Sequence, residues 1–165
     1  LYMIEKLQSV DIDTIISELK ILPKFNTMIC LQGSKETSDP MIDQVGGYKS
    51  PGMTKYLKDK YNITYNPKDF IYPLFDIPYI NSIIENLKMV NSRILNLRAK
   101  TCYTYHYDKP KRINIPLITN ENCWLIINKE VHHLPAGHCY LVDTTQWHTS
   151  VNASGIDRWS IIADI

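Results

Sequence analysis

Seven short segments rich in β-forming residues follow one another from about residue 93 to the C-terminus. Turn-forming residues separate them, for example at Lys109-Pro110 and at Pro135-Ala136-Gly137. Many short strands at regular spacing are typical of a closed barrel or of a two-sheet sandwich. The sequence therefore predicts a mainly β fold, with strands over residues 94–98, 101–107, 112–118, 123–128, 138–142, 148–152 and 158–164.

Two helices are predicted before this β-rich part. Residues 11–20 repeat isoleucine and leucine at helical spacing, and either Asp11 or Asp13 can cap the helix that they form. A second helix is predicted over roughly 79–91, with Asp76 as its cap and Pro78 near its first position.

The remaining N-terminal residues contribute little regular pattern. Residues 27–33 have the composition of a strand, whereas residues 34–69 keep no hydrophobic period. Because no linker or repeat divides the chain, we expect a single domain over residues 1–165. In that domain a helical and irregular part, 1–92, is expected to pack on a β-rich core, 93–165.

The composition argues against several classes of function. The formal net charge is +1 and the basic residues are spread along the chain, so neither nucleic acid nor an acidic membrane surface is an expected partner. No apolar run approaches the roughly 20 residues of a membrane-spanning helix. Residues 1–10 lack the layout of a signal peptide, and we therefore expect a cytoplasmic protein.

Three residues of the β-rich part form a candidate metal site. His106 and Asp108 are two positions apart at the end of a predicted strand, which directs both side chains to one face. His148 opens another predicted strand and would complete the site from across the barrel. Two imidazoles and a carboxylate are the facial ligand set of non-haem Fe(II), although the same donors also bind Zn, Ni, Mn and Co. The alternative is that His106 and Asp108 are surface or capping residues.

A candidate anion-binding residue, Arg158, stands ten positions after His148. A hairpin across the intervening turn is expected to bring Arg158 beside the strand that begins at His148. A planar guanidinium can hold a carboxylate through two parallel hydrogen bonds. The alternative is an ion pair of Arg158 with Asp157 or Asp164 at the surface.

Residues 112–118 alternate between polar and apolar side chains. Arg112 and Asn114 share one face of the predicted strand, and Ile113, Ile115 and Leu117 share the other. Alternation of this kind places one face of a strand on the core. The polar face then either lines an anion-binding barrel interior or contacts solvent.

Other aromatic and imidazole side chains are weaker candidates. Tyr103, Tyr105 and Tyr107 alternate with His106 along the predicted strand, so we expect them to pack against the helices. His132, His133 and His138 lie around a predicted turn and are expected to be loop residues, not metal ligands.

The sequence from about Arg93 onward resembles the aspartyl/asparaginyl β-hydroxylase family. The matching text is "YHYDKPKRINIPLITN" followed by "LPAGHCYLVDTTQWHTSVNASGIDRWSIIADI". The shared pattern comprises H-x-D, an Arg, an I-P-L-x-T-N strand end, a G-x-x-Y-x-x-D-T turn, H-x-x-x-N and an Arg before the last strand. These spaced motifs cover nearly half of the chain.

The resemblance implies a double-stranded β-helix, that is, a jelly roll or cupin-like barrel, which uses Fe(II), 2-oxoglutarate and dioxygen. By position, His106, Asp108 and His148 would be the iron ligands, and Arg158 would hold the far carboxylate of 2-oxoglutarate. Arg112 and Asn114 fall where some members have Arg and His near the iron-bound end of the cosubstrate.

The resemblance also implies a reaction. The expected enzyme is a 2-oxoglutarate-dependent dioxygenase that hydroxylates an Asp or Asn side chain in a peptide or protein, or a free amino acid. Two alternatives are a non-catalytic metal- or sugar-binding jelly-roll module and a cupin-type metalloenzyme that does not use 2-oxoglutarate.

Overall fold

The structure is a computed structural model, and it describes residues 3–35, 38–41, 58–60, 62 and 66–165. Helix α1 spans Ile12–Glu18 and helix α2 spans Pro78–Asn86. The strands are β1 (Ile4–Ser9), β2 (Met28–Cys30), β3 (Gln32–Gly33), β4 (Tyr72–Pro73), β5 (Val90–Leu97), β6 (Thr101–Cys102), β7 (Arg112–Ile118), β8 (Cys123–Ile127), β9 (Glu130–His132), β10 (His138–Val142), β11 (His148–Asn152) and β12 (Arg158–Asp164).

Two antiparallel sheets face each other across an internal cavity. The larger sheet has the strand order β1-β10-β7-β12-β5-β2, and the smaller has the order β6-β11-β8-β9. From β10 to β12 the chain passes from the larger sheet to the smaller and back again. This arrangement is a jelly roll, which confirms the mainly β, cupin-like fold expected from the sequence.

The main hydrophobic core covers the outer face of the larger sheet. Ile113 and Ile115 of β7 and Ile161 of β12 are almost completely buried, and they join one cluster with Ile80 and Ile83 of α2. Because alternate residues of a strand point to opposite faces, the polar residues between these isoleucines are directed into the cavity. The predicted polar face of β7 is therefore interior and not solvated.

Helix α1 lies within its predicted range of 11–20, and α2 begins close to its predicted start. The predicted end of α2 near residue 91 is wrong, since the helix ends at Asn86 and β5 begins at Val90. Asp11 caps α1 through hydrogen bonds from the backbone N–H groups of Asp13 and Thr14, as the sequence predicts. The predicted cap of α2 is wrong, because Ile77 occupies the capping position and no side chain at that position accepts a bond. Instead, the Glu18 carboxylate at the end of α1 accepts from the N–H groups of Tyr79 and Ile80, at 2.7 and 2.9 Å.

The N-terminal part does more than pack on the β-rich core. Strands β1 and β2 form the two edges of the larger sheet, and β5 begins before residue 93. The sequence did not predict β1, β4 or β9. Most of the stretch 34–69 lies outside the described residues. Among the residues that are described, no helix is long and apolar enough to cross a membrane.

Candidate metal centre and its cavity

His106, Asp108 and His148 converge on one point at the edge of the cavity. The Asp108 Oδ2 atom lies 3.8 Å from His106 Nε2 and 3.6 Å from His148 Nε2. One donor atom from each residue lies within 4.8 Å of the donor atoms of the other two. Asp108 and His148 are buried, whereas His106 is partly exposed. The structure thus brings together the three residues that the sequence singled out.

The backbone around the two histidines differs from the predicted arrangement. Strand β6 ends at Cys102, so His106 and Asp108 do not extend from a continuous strand. His106 forms an isolated antiparallel bridge with His148, with N···O distances of 2.9 and 2.7 Å in the two directions. His148 therefore lies beside His106, and not across the barrel from it, with 4.5 Å between the ring centroids.

Backbone carbonyl groups fix the orientation of both imidazoles. The Nδ1 atom of His106 lies 2.6 Å from the Thr104 carbonyl oxygen, and Nδ1 of His148 lies 2.9 Å from that of Gln146. A carbonyl oxygen can only accept, so Nδ1 carries the proton in both rings. The Nε2 lone pairs are then free to face Asp108, which is the tautomer that a metal requires.

Burial favours the neutral form of His148. Removal from water lowers the pKa of His148 from its ordinary value of 6.5, although the hydrogen bond to the Gln146 carbonyl acts in the opposite direction. The nearby imidazole of His106 also lowers this pKa. A neutral imidazole at physiological pH is a competent metal ligand without further loss of a proton.

Thr144 anchors the loop that carries Asp108. The Asp108 backbone N–H donates to the Thr144 carbonyl oxygen at 2.8 Å, and the Thr144 hydroxyl donates to the Pro110 carbonyl oxygen at 2.6 Å. Thr144 is itself buried. Both ends of this short loop are thereby attached to the turn that precedes β11.

A cavity of about 490 Å³ extends from the three donor residues between the two sheets. Arg158, Ser160 and Asn114 line it from the larger sheet, and all three are buried. Within the described part of the chain, no hydrogen-bond partner is found for Arg158 Nε, Ser160 Oγ or Asn114 Oδ1. Buried polar atoms are nearly always hydrogen-bonded, so this wall has the character of a polar ligand site.

Arg158 reaches this cavity by a different route from the predicted one. Strand β12 pairs with β5 and β7, whereas β11 pairs with β6 and β8, so no hairpin joins Arg158 to the His148 strand. The two residues instead belong to opposite sheets. The surface alternative for Arg158 is also wrong, since its side chain is buried.

Burial gives the Arg158 guanidinium an unusual environment. Desolvation lowers the pKa of Arg158, and the neighbouring Cys123 and Tyr103 groups act in the opposite direction. The guanidinium of an arginine keeps its positive charge in proteins. A buried cation in a cavity favours the binding of an anion.

Several residues of the cavity were not predicted from the sequence. All three tyrosines are exposed: Tyr103 also lines the cavity and does not pack against the helices, while Tyr105 and Tyr107 contact Trp147. Ser160 was also missed, although its position two residues after Arg158 placed both on one face of β12. For Tyr103 the alternation with His106 was misleading, because β6 ends before it.

Comparisons with known proteins identify a family and similar folds. A family model described as aspartyl/asparaginyl beta-hydroxylase matches residues 74–165. An oxidoreductase of the 2OG-Fe(II) oxygenase family from Burkholderia pseudomallei superposes with a TM-score of 0.51 and 10% identity, covering 93% of this chain and 76% of that one. At this identity the likeness shows the fold alone.

Two further solved structures superpose on part of the chain. A cupin domain from Bordetella pertussis has a TM-score of 0.41 and 15% identity, covering 47% of this chain and 81% of that one. A Photorhabdus luminescens protein has a TM-score of 0.39 and 17% identity, covering 44% of this chain and 58% of that one. The match thus spans less than two thirds of the length of that protein. Comparison with curated protein sequences finds no match.

Proposed function

Because the chain belongs to the aspartyl/asparaginyl β-hydroxylase family, we propose that it is an Fe(II)- and 2-oxoglutarate-dependent dioxygenase. Its substrate would be an Asp or Asn side chain in a peptide or protein, or a free amino acid, hydroxylated at an unactivated C–H bond. The observation that carries the proposal is the convergence of two Nε2 atoms and one carboxylate oxygen at the end of a polar cavity.

The three donors fit Fe(II). His106 and His148 offer neutral nitrogen ligands, and Asp108 offers a charged oxygen ligand, which together make the facial set of non-haem iron sites. Ligands confined to one side of the ion leave coordination positions for other molecules. Bound Fe(II) would supply the redox chemistry in which dioxygen hydroxylates the substrate while 2-oxoglutarate becomes succinate and carbon dioxide.

The polar wall of the cavity fits the cosubstrate. Arg158 would bind the distal carboxylate of 2-oxoglutarate, and the Ser160 hydroxyl would donate to the same group. His148 and Asn152 mark opposite ends of β11, roughly 13 Å apart at about 3.3 Å per residue. The Asn152 side chain contacts Leu97, which is the register partner of Arg158. Arg158 therefore lies near the Asn152 end of β11. An arginine side chain and a five-carbon diacid can together span the distance from there to the His148 end.

The metal-side end of the cavity carries Arg112 and Asn114 on β7. Asn114 directs a buried amide into the cavity, where it would contact the metal-side end of the cosubstrate. Arg112 borders the same end and forms an ion pair with Asp108. Apolar side chains, including Leu125, Val142 and Ile162, line the rest of the cavity and would exclude water from the reaction.

The first test measures succinate formation from 2-oxoglutarate with Fe(II), across a panel of amino acids and peptides. We expect turnover by the wild-type chain and its loss in His106→Ala and His148→Ala, because each variant lacks a metal ligand. His132→Ala, which removes a histidine from β9, is the matched control and should retain turnover. Succinate formation that is unaffected by His106→Ala or His148→Ala would refute the assigned ligands.

The second test concerns the cosubstrate and does not require the substrate to be known. Anaerobic Fe(II) and 2-oxoglutarate together should give a visible charge-transfer band, which a non-catalytic module would not give. Arg158→Ala should weaken 2-oxoglutarate binding by roughly 2–5 kcal/mol, because a buried charge-assisted pair is lost. An unchanged 2-oxoglutarate affinity in Arg158→Ala would contradict this assignment.

A further inference from the structure

Arg112 bridges two buried carboxylates at the metal-side end of the cavity. Its Nη1 atom lies 2.7 Å from Asp108 Oδ2, and its Nε atom lies 3.0 Å from Asp164 Oδ1. The Arg112 side chain is 15% exposed, and those of Asp108 and Asp164 are 4% and 3% exposed. A guanidinium is suited to such a bridge, because its donors are fixed in one plane.

Asp164 is also hydrogen-bonded on the side away from Arg112. Its Oδ2 atom accepts a hydrogen bond from Asn91 Nδ2 at 3.1 Å. Asp164 is also the register partner of Arg112 between β12 and β7, and the next residue, Ile165, donates its N–H to the Lys111 carbonyl oxygen. Hydrogen bonds within the larger sheet thus hold Asp164 in place beside the Arg112 guanidinium.

Three contacts of Asp108 share one oxygen atom. Oδ2 is the atom that approaches both imidazoles, and it is also the atom that Arg112 contacts. Arg112 therefore contributes to the orientation of the Asp108 carboxylate, and Asp164 contributes to the orientation of Arg112. Hydrogen-bonded partners of a metal-ligating carboxylate commonly set both its geometry and its affinity for the ion.

The charges of the three residues also favour a cation. Arg112 and Asp108 alone would cancel, and a neutralised carboxylate attracts a metal ion less strongly. With Asp164 included, two negative charges face one positive charge, and the group keeps a net charge of −1. The negative charge of Asp164 thus balances the positive charge of Arg112, and the negative charge of Asp108 remains available to bind the metal ion.

We propose that Asp164 is a positioning residue for the metal centre: through Arg112 it orients the Asp108 carboxylate, and it balances the charge of Arg112. This inference rests on the proposed function, since it takes Asp108 to be a metal ligand. It assigns to Arg112 a role in metal binding that precedes any contact with the cosubstrate.

The test measures Mn(II) binding to the whole chain by calorimetry, without 2-oxoglutarate. Asp164→Asn keeps the size of the side chain but removes its charge, and Arg112→Lys keeps the charge but not the planar fork. We expect each variant to bind Mn(II) about 10- to 100-fold more weakly than the wild type, the range typical of lost partners of a metal ligand.

A double variant separates a shared role from two independent ones. Because Asp164 and Arg112 act on the same carboxylate, Asp164→Asn combined with Arg112→Lys should weaken Mn(II) binding about as much as the more severe single variant. Asp157→Asn is the matched control. It makes the same chemical change in a carboxylate that contacts Asn96 and Ala99 instead, and it should bind Mn(II) normally.

The Co(II) absorption spectrum is a second measurement, and a change in stability alone would not alter the positions of its bands. If Asp164 orients Asp108, the Co(II) bands of Asp164→Asn should differ from those of the wild type in position or intensity. Should Asp164→Asn fail to fold, Arg112→Lys tests the same contact from its other side.

The outcomes distinguish the inference from the function on which it rests. Wild-type affinity for Mn(II) in both single variants, with only 2-oxoglutarate binding weakened, would show that Arg112 serves the cosubstrate and would overturn the inference. If the wild-type chain itself binds no Mn(II) or Fe(II), the proposed function fails first.

Discussion

At the scale of single residues, Asn152 organises the turn that leads to Arg158. Its Nδ2 group donates to the carbonyl oxygens of Leu97 and Ile156, at 2.9 and 2.8 Å. Its Oδ1 atom accepts from the backbone N–H and the hydroxyl of Ser154, at 3.1 and 2.7 Å. Asn152 is completely buried, so water cannot replace these bonds when the side chain is removed.

We therefore expect Asn152→Ala to lower the free energy of unfolding by about 3 kcal/mol, since each buried group left unpaired costs roughly 1–3 kcal/mol. Urea unfolding followed by circular dichroism measures this change. The exposed Asn122, in the turn before β8, provides the control variant Asn122→Ala. A loss below about 0.5 kcal/mol in Asn152→Ala, the range of ordinary surface changes, would mean that this hydrogen-bonding role is wrong.

At the scale of elements, the N-terminus of α2 depends on a residue from α1. The carboxylate of Glu18 accepts two of the backbone N–H groups that a helix leaves unpaired at its start. A negative charge at this end also interacts favourably with the helix dipole. The contact joins two helices about 60 residues apart, both of which cover the main core.

Glu18→Ala should lower the free energy of unfolding by about 1–2 kcal/mol, because both the capping bonds and the charge are lost. Asp76→Ala should change it by less than about 0.5 kcal/mol, since Asp76 is exposed and does not occupy the cap. Thermal or urea unfolding of the two variants compares the cap seen in the structure with the cap predicted from sequence. A larger loss of stability in Asp76→Ala than in Glu18→Ala would favour the cap predicted from the sequence.

At the scale of the whole molecule, the cavity joins the two sheets of the jelly roll. His148 belongs to the smaller sheet and is bridged to His106, whereas Arg112 and Arg158 belong to the larger sheet. A metal ion and an anion bound in this cavity would contact both sheets at once. Ligand binding is therefore expected to stabilise the molecule as a unit.

Added to the Mn(II)-bound chain at 100 times its dissociation constant, 2-oxoglutarate should raise the free energy of unfolding further, by about 2.7 kcal/mol. For a chain of this size the melting temperature should rise by roughly 5–10 °C. Hydrogen exchange should slow in strands of both sheets. At the same concentrations, Arg158→Ala should keep the increase in the free energy of unfolding caused by Mn(II) and lose the part added by 2-oxoglutarate. If 2-oxoglutarate stabilises Arg158→Ala as much as the wild type, the cosubstrate does not join the two sheets through Arg158.

Much of the fold was accessible from the sequence because strand patterns are local. Strands β7, β10, β11 and β12 begin and end at the predicted residues, since turn residues and period-2 alternation mark them directly. The same alternation placed Arg112 and Asn114 on the polar face of β7. Strand β1 was missed because its exposed edge position leaves it without a strong apolar pattern.

The sequence by itself determined the types of donor, the limits of β7, β10, β11 and β12, and the polar face that β7 turns to the interior. Only the tertiary structure decided which strands are neighbours: that His106 lies beside His148, that Arg158 faces them from the opposite sheet, and that Arg112 joins Asp108 to Asp164. The physical reason is that strand pairing depends on contacts between residues far apart in the chain, whereas alternation and turns depend on neighbours.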